Sequence, residues 1–212
     1  MKQLRNLLLL GTAFSLTLFA QEWEIGGGVG GSFFTSNSVK NALTTGDVSL
    51  ANALAASFWL GNNSGHLLGG EFRYDYENTK LKLTSGGTSA TFGADTHAFH
   101  YDFLLHLTPG ESRIRPYISA GGGVKLYRGT GTENAFQPLS SLALLTKTTE
   151  LKPLISAGAG LKIQLARSLQ LRIEARDSLT PFPKTVIAPA QGSTIGGWLQ
   201  DFVVIVGLSL TL

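Results

Sequence analysis

The amino-acid sequence predicts an all-β fold, an eight-stranded antiparallel up-and-down barrel that crosses a membrane. Three observations point there. Apolar and polar residues alternate with period two in one segment after another; long and short connections alternate between those segments; and the charges within them keep to one of the two rows of each strand. Composition agrees, with 26 Gly and no Cys among 212 residues and 15% charged residues, against about 25% in an ordinary soluble domain. Such a chain is a poor candidate for a helical bundle, a disulfide scaffold or a disordered tail.

The first twenty residues are read as a secretory signal peptide. Met1 to Asn6 is a short cationic stretch, Leu7 to Phe19 is apolar, and Ala20 offers a small residue for cleavage before Gln21. The apolar run is shorter than the ~20 residues of a membrane-spanning helix. Residues 1–20 are therefore set apart, and residues 21–212 are taken as one barrel domain. The formal charge of +3 falls to +1 once Lys2 and Arg5 are removed, which leaves no basic stripe and excludes nucleic acid as a partner. Absence of Cys suits an oxidising compartment.

The strands follow in order. Glu22 to Phe34 sets Trp23, Ile25, Val29 and Phe33 against Glu24, Gly26, Gly28, Gly30 and Ser32. Leu50 to Leu60 has Ala and Ser on both rows, so its faces are unassigned. In Leu67 to Glu77, Glu71, Arg73, Asp75 and Glu77 alternate with Phe72, Tyr74 and Tyr76. His97 to Leu107 places Phe99, Tyr101, Phe103 and Leu105 opposite His100, Asp102 and His106. Ile114 to Tyr127 sets Ile118, Val124 and Leu126 against Arg115, Tyr117, Ser119 and Lys125. Next, Leu151, Ile155, Leu161 and Ile163 oppose Glu150, Lys152, Ser156, Lys162 and Gln164. Leu169, Leu171 and Ile173 then oppose Arg172, Glu174 and Arg176. Trp198 to Leu212 closes the chain with Phe202, Val204, Val206, Leu208 and Leu210 on one row.

Short turns are expected at Gly61 to His66, at Thr108 to Arg113 and around Ala166 to Ser168. Connections of about fifteen to twenty residues are expected near 35–49, 78–96, 128–148 and 177–197. This alternation puts every long loop at one end of the barrel and both termini at the other. The loops are rich in Ser, Thr, Asn and Gly, and Phe182, Val186, Ile187 and Pro189 are candidate contacts for an extracellular surface partner.

Charge decides which row faces inward. The polar rows hold fifteen ionised residues, eight acidic and seven basic, whereas the apolar rows hold none. A balanced mixture among small residues is what a narrow interior requires, because buried charges must be paired. The apolar rows then face lipid, and Trp23, Tyr76, Tyr101 and Trp198 are placed in aromatic girdles. The expected lumen ion-pair network comprises Glu71, Arg73, Asp75, Glu77, Asp102, Arg115, Lys125, Glu150, Lys152, Lys162, Arg172, Glu174 and Arg176.

The leader, the strand rhythm, the run Arg115-Pro116-Tyr117-Ile118-Ser119-Ala120-Gly121-Gly122-Gly123 and the C-terminal strand Trp198 to Leu212 carry a resemblance. The chain resembles the small eight-stranded outer-membrane β-barrels, namely the opacity-type surface antigens and the transmembrane domain of the OmpA family. The resemblance implies residence in outer-membrane lipid, insertion by the barrel-assembly machinery, and a structural or surface-interaction role without enzymatic activity. Such chains typically end in Phe or Trp, and Leu212 departs from that. No counterpart of the peptidoglycan-binding domain of full-length OmpA relatives is expected, and with it no cell-wall tether.

Chemical motifs are few. Gly26, Gly28 and Gly31 match GxGxxG but lie within an alternating strand with no helix after it, so no nucleotide site follows. His97 lies on the opposite face from His100 and His106. The latter two are ~20 Å apart at ~3.3 Å per residue, too far to share an ion. His100 with Asp102 is read as a lumen hydrogen-bond pair. No metal or other cofactor is expected. Two other functions fit the pattern: a narrow channel for ions or small amphiphilic molecules, and a lipid A-modifying enzyme using His97 near the outer leaflet.

Overall fold

The computed structural model describes residues 23–62, 67–110 and 112–212, so the leader lies outside the described residues. The strands are β1 (Trp23–Phe34), β2 (Asn37–Lys40), β3 (Thr45–Leu50), β4 (Ala53–Asn62), β5 (Leu68–Ser85), β6 (Thr88–His106) and β7 (Ile114–Gly129), followed by β8 (Ala143–Leu145), β9 (Thr149–Ala166), β10 (Leu169–Pro181), β11 (Ile187–Pro189), β12 (Thr194–Ile195) and β13 (Trp198–Thr211). Eight of them form a closed antiparallel ring in the order β1-β4-β5-β6-β7-β9-β10-β13, and β13 pairs with β1. Following paired residues once around the ring from Glu24 leads to Phe34, ten residues further along β1. That stagger is what tilts the strands of a closed barrel.

The two rows are segregated as their chemistry demands. Outward Phe72 is 65% exposed, whereas inward Arg172 is 1% exposed. In water this would be an inverted protein; in a bilayer it is the stable arrangement. The strand whose faces were unassigned is also resolved. Ala55, Ser57 and Trp59 point inward, and Leu54, Phe58 and Leu60 point outward. Leu50 stands opposite Leu81 but Leu54 stands opposite Asn78, so β3–β4 carries one more residue than β5 across Ala51 and Asn52. This bulge slips the period-two phase by one, so no single alternation spans Leu50 to Leu60.

The long connections differ from the expectation. Residues 78–96 are not a loop, because β5 and β6 continue past the ring as a hairpin turning at Gly86 and Gly87. Both glycines have positive φ, +55° and +82°, as a two-residue type I′ turn requires. β2, β3 and β12 extend this sheet, and β8 pairs with β11. Together they enclose a second apolar core above the ring, including Val48, Leu83, Phe92, Leu142 and Leu145. Phe182, Val186 and Ile187 belong to that core at 2%, 0% and 0% exposure, so they are not surface contacts. The loop segments form a folded cap, and the apolar residues in their polar surroundings are its interior.

Candidate functional site

The inward rows of the eight ring strands converge on a column of charged side chains. At its lower end, beside the short turns, Lys162 Nζ donates to Glu24 Oε2 at 2.5 Å, with Arg115 and His106 also buried there. Arg172 holds the centre. Its Nη1 and Nη2 donate to the two Glu71 oxygens at 2.7 Å each, Nη2 also reaches Glu174 Oε2 at 2.5 Å, and Nε donates to the Tyr117 hydroxyl at 2.7 Å. The guanidinium lies 4.7 Å from the Trp59 ring and 4.9 Å from the Tyr117 ring. Tyr117 in turn donates to Glu174.

Two further arginines share these acids. Arg73 binds Glu174 at 2.7 Å, Asp75 at 3.0 Å and Glu71 at 3.3 Å. Arg176 binds Asp102 at 2.6 Å and Glu174 at 3.0 Å. His100 bridges Asp75 through Nε2 at 2.9 Å and Asp102 through Nδ1 at 3.0 Å. Ser57 and Ser156 donate to these same carboxylates at 2.5 and 2.7 Å. Higher up, Lys125 Nζ sits between Asp201 at 2.6 Å and Glu77 at 2.8 Å, which also accept from Ser32 and Thr96. Tyr127 bonded to Thr180 at 2.6 Å ends the column, and the apolar cap begins there.

Small residues make this crowding possible. A side chain at Gly121 would overlap the Tyr101 carbonyl oxygen and Asp102 Oδ1. Gly121→Ala is therefore expected to cost about 1–3 kcal/mol, read as a lower urea midpoint of the detergent-folded protein. An unchanged midpoint would show that β6 and β7 have room to separate.

Of the thirteen residues expected in the network, Glu71, Arg73, Asp75, Asp102, Arg172, Glu174 and Arg176 form one connected cluster. Glu77 with Lys125 forms a second, and Lys162 reaches the first through Glu24, whose Oε1 lies 3.7 Å from Arg172 Nη1. Arg115 is buried in the lower lumen. Glu150 and Lys152 stand apart. They pair with each other at 2.6 Å, partly exposed, and Glu150 accepts from the Thr185 amide at 2.6 Å. Lys152 stands opposite Lys125 and Glu150 opposite Tyr127, so the pair lies at the upper end of the column, where Glu150 also reaches the cap.

The expected set omitted Glu24 and Asp201, although the charge count had placed both on the polar rows. Trp59 was hidden by the phase slip. His97 bonds the Tyr74 hydroxyl through Nδ1 at 2.8 Å and approaches Asp95 at 3.4 Å, both on the outward face. Chemically, the column is a run of oppositely charged side chains paired with one another and buried inside the ring.

The family model described as the outer membrane protein beta-barrel domain matches residues 7–198. Among solved structures, the fold is similar to that of the outer membrane protein OprG from Pseudomonas aeruginosa, with TM-score 0.60, 10% identity, and coverage of 91% of this chain and 96% of that one. Neisserial surface protein A is similar with TM-score 0.54, 8% identity, and coverage of 89% and 96%. AlkL, an outer membrane protein determined in DMPC bilayers, gives TM-score 0.52, 15% identity, and coverage of 91% and 90%. No curated protein matches the chain. At such identities the likeness is one of fold.

Proposed function

This chain belongs to the outer membrane protein β-barrel family and sits in outer-membrane lipid; from that premise we propose that it is a closed barrel whose work is done at the outer surface by its cap. It is neither a pore nor an enzyme in this reading. The observation that carries it is the sequence of layers along the axis, in which paired ions fill the ring and a buried apolar core lies across the outer mouth.

A surface partner would meet the exposed apolar residues of the cap. Leu43 is 95% exposed and Phe136 79%, on two loops tied together where Asn41 Nδ2 donates to the Ser141 carbonyl at 3.2 Å. The amphipathic strand β13 is the element that the barrel-assembly machinery would engage. Planar-bilayer recording tests the closed lumen. The reconstituted protein is expected to give no resolved current steps, in the native form or with Arg73→Gln. Discrete conductance that changes with Arg73→Gln or Glu174→Gln would replace this reading with a narrow channel.

A further inference from the structure

The outward surface of the ring is not uniform. Among the described ring-strand residues, the outward-facing cations are Lys80, Lys82 and Arg128, on β5 and β7 on either side of β6. The flank formed by β9, β10 and β13 carries one outward acid, Asp177, and no cation. Arg128 is held by two bonds to Asp95, Nε to Oδ1 at 2.8 Å and Nη2 to Oδ2 at 2.7 Å, while 48% of its side chain stays open to solvent. Lys80 is opposite Gly93 on β6. Gly93 is itself covered, because its carbonyl accepts from the Thr130 and Gly131 amides, and Lys80 and Arg128 lie on either side of β6, two residues out of register and two strand spacings or roughly 10 Å apart. Flexible cationic side chains close such a gap around an anion.

Below Gly93, Asp95, His97 and Tyr74 follow one another down the outward face at the level where the apolar belt ends. Tyr74 and Phe99 then line a groove of about 590 Å³ that runs across five strands, with Ile25, Phe58, Phe72 and Tyr101 as its walls and the backbone at Gly122 and Gly123 in its floor. Tyr74 thus belongs to both features. A cationic rim on the same flank, with Lys80 about 20 Å up β5 from Tyr74, matches an amphiphile with a negative head and a hydrocarbon tail that extends down to the apolar groove. Of the nearby acids, Asp95 is bonded to Arg128, and Asp47 on β3 stands between Ser38 and Thr84.

We propose that the outward flank of β5, β6 and β7 is a specific binding site for a phosphate-bearing lipid of the outer leaflet, with Lys80, Lys82 and Arg128 holding the phosphate and the aromatic groove holding an acyl chain. The site rests on the outward orientation of the cap given above, which places these cations at the outer headgroups. A lipid bound there would anchor the β5–β6 hairpin and, through it, the cap.

The test is native mass spectrometry of the folded mature chain released from neutral detergent, titrated with phosphatidic acid or with the diacylglycerol of the same acyl chains. One phosphatidic acid is expected to be retained with affinity at least tenfold above that of the diacylglycerol. Lys80→Gln with Lys82→Gln is expected to weaken it roughly thirtyfold, at the usual contribution of a cation near an anionic lipid surface. Lys80→Arg with Lys82→Arg should retain it. Equal retention of the two lipids, native-like binding by the glutamine variant, or displacement by inorganic phosphate at the lipid's own concentration would each overturn the site. The heat-dependent gel shift of folded barrels is a separate readout on the same samples: its absence in the unmodified chain would count against the barrel, whereas its presence with any of those three outcomes condemns the lipid site alone.

Discussion

Arg172→Met is expected to destabilise the detergent-folded barrel by about 3–5 kcal/mol, the usual cost of stranding a buried charge. Methionine matches the length of the stem but removes the donors that serve Glu71, Glu174 and Tyr117. Glu24, whose Oε1 lies 3.7 Å from the guanidinium, loses a countercharge as well. Arg73 and Arg176 keep Glu174 paired at 2.7 and 3.0 Å, but Glu71 loses its two 2.7 Å bonds and is left with Arg73 at 3.3 Å and Arg176 at 3.7 Å. Adding Glu71→Gln is expected to recover a large part of the loss, because the penalty comes from an unpaired carboxylate rather than from missing packing. Urea unfolding followed by gel mobility reads both effects. Little change in the single variant would mean that water reaches the centre of the column, and the closed-lumen reading would fall with it. Salt should matter little, since buried pairs are screened far less than exposed ones.

Phe182→Ala should act on the cap and spare the ring. Phe182 lies just past β10, its amide donates to the Gly197 carbonyl, and its ring is 2% exposed within the upper core. Truncating a buried phenylalanine costs about 3–5 kcal/mol, and that cost is expected to appear as local opening of the cap. Opening by this amount raises the population of the cleavable state by roughly a hundredfold or more, so trypsin should nick the cap at exposed Lys147 or Lys184 correspondingly faster. The ring strands should remain protected and keep their gel mobility. Nicking at the native rate would show that the segments above the ring hold together without this core.

The strands of the ring were legible in the sequence because lipid on one side and paired ions on the other force a strict alternation. Glu71, Arg73 and Asp75 announce the lumen row by their spacing alone. The same rule fails where the backbone breaks phase. Trp59, whose ring lies against Arg172, sits seven residues past the second residue of the bulge, and the alternation of Leu50 and Ala55 cannot be joined into one row. The cap was illegible for another reason. Its segments have loop composition, and Val48, Leu83, Phe182 and Ile187 are brought together only by tertiary folding. Glu150 and Lys152 illustrate the limit of counting charges: their row is right, but at the upper end of the column they pair with each other, partly exposed, and join neither larger cluster. Height depends on the stagger between strands, which one strand's sequence does not encode.

The pairing of β13 with β1 has a kinetic consequence. Glu24 meets Thr211 across that seam, and the bond from Lys162 to Glu24 spans 138 residues of chain. Hairpins such as β5–β6 can form early from local contacts, but Lys162 with Glu24, Arg172 with Glu71 and Lys125 with Asp201 meet across the ring only once the cylinder shuts. Until then the half-made sheet offers two raw edges and a strip of unmatched charge to its surroundings. Maturation of this molecule is therefore governed by a late, highly non-local closure, and an escort that shields both edges would serve it better than one that speeds the individual hairpins.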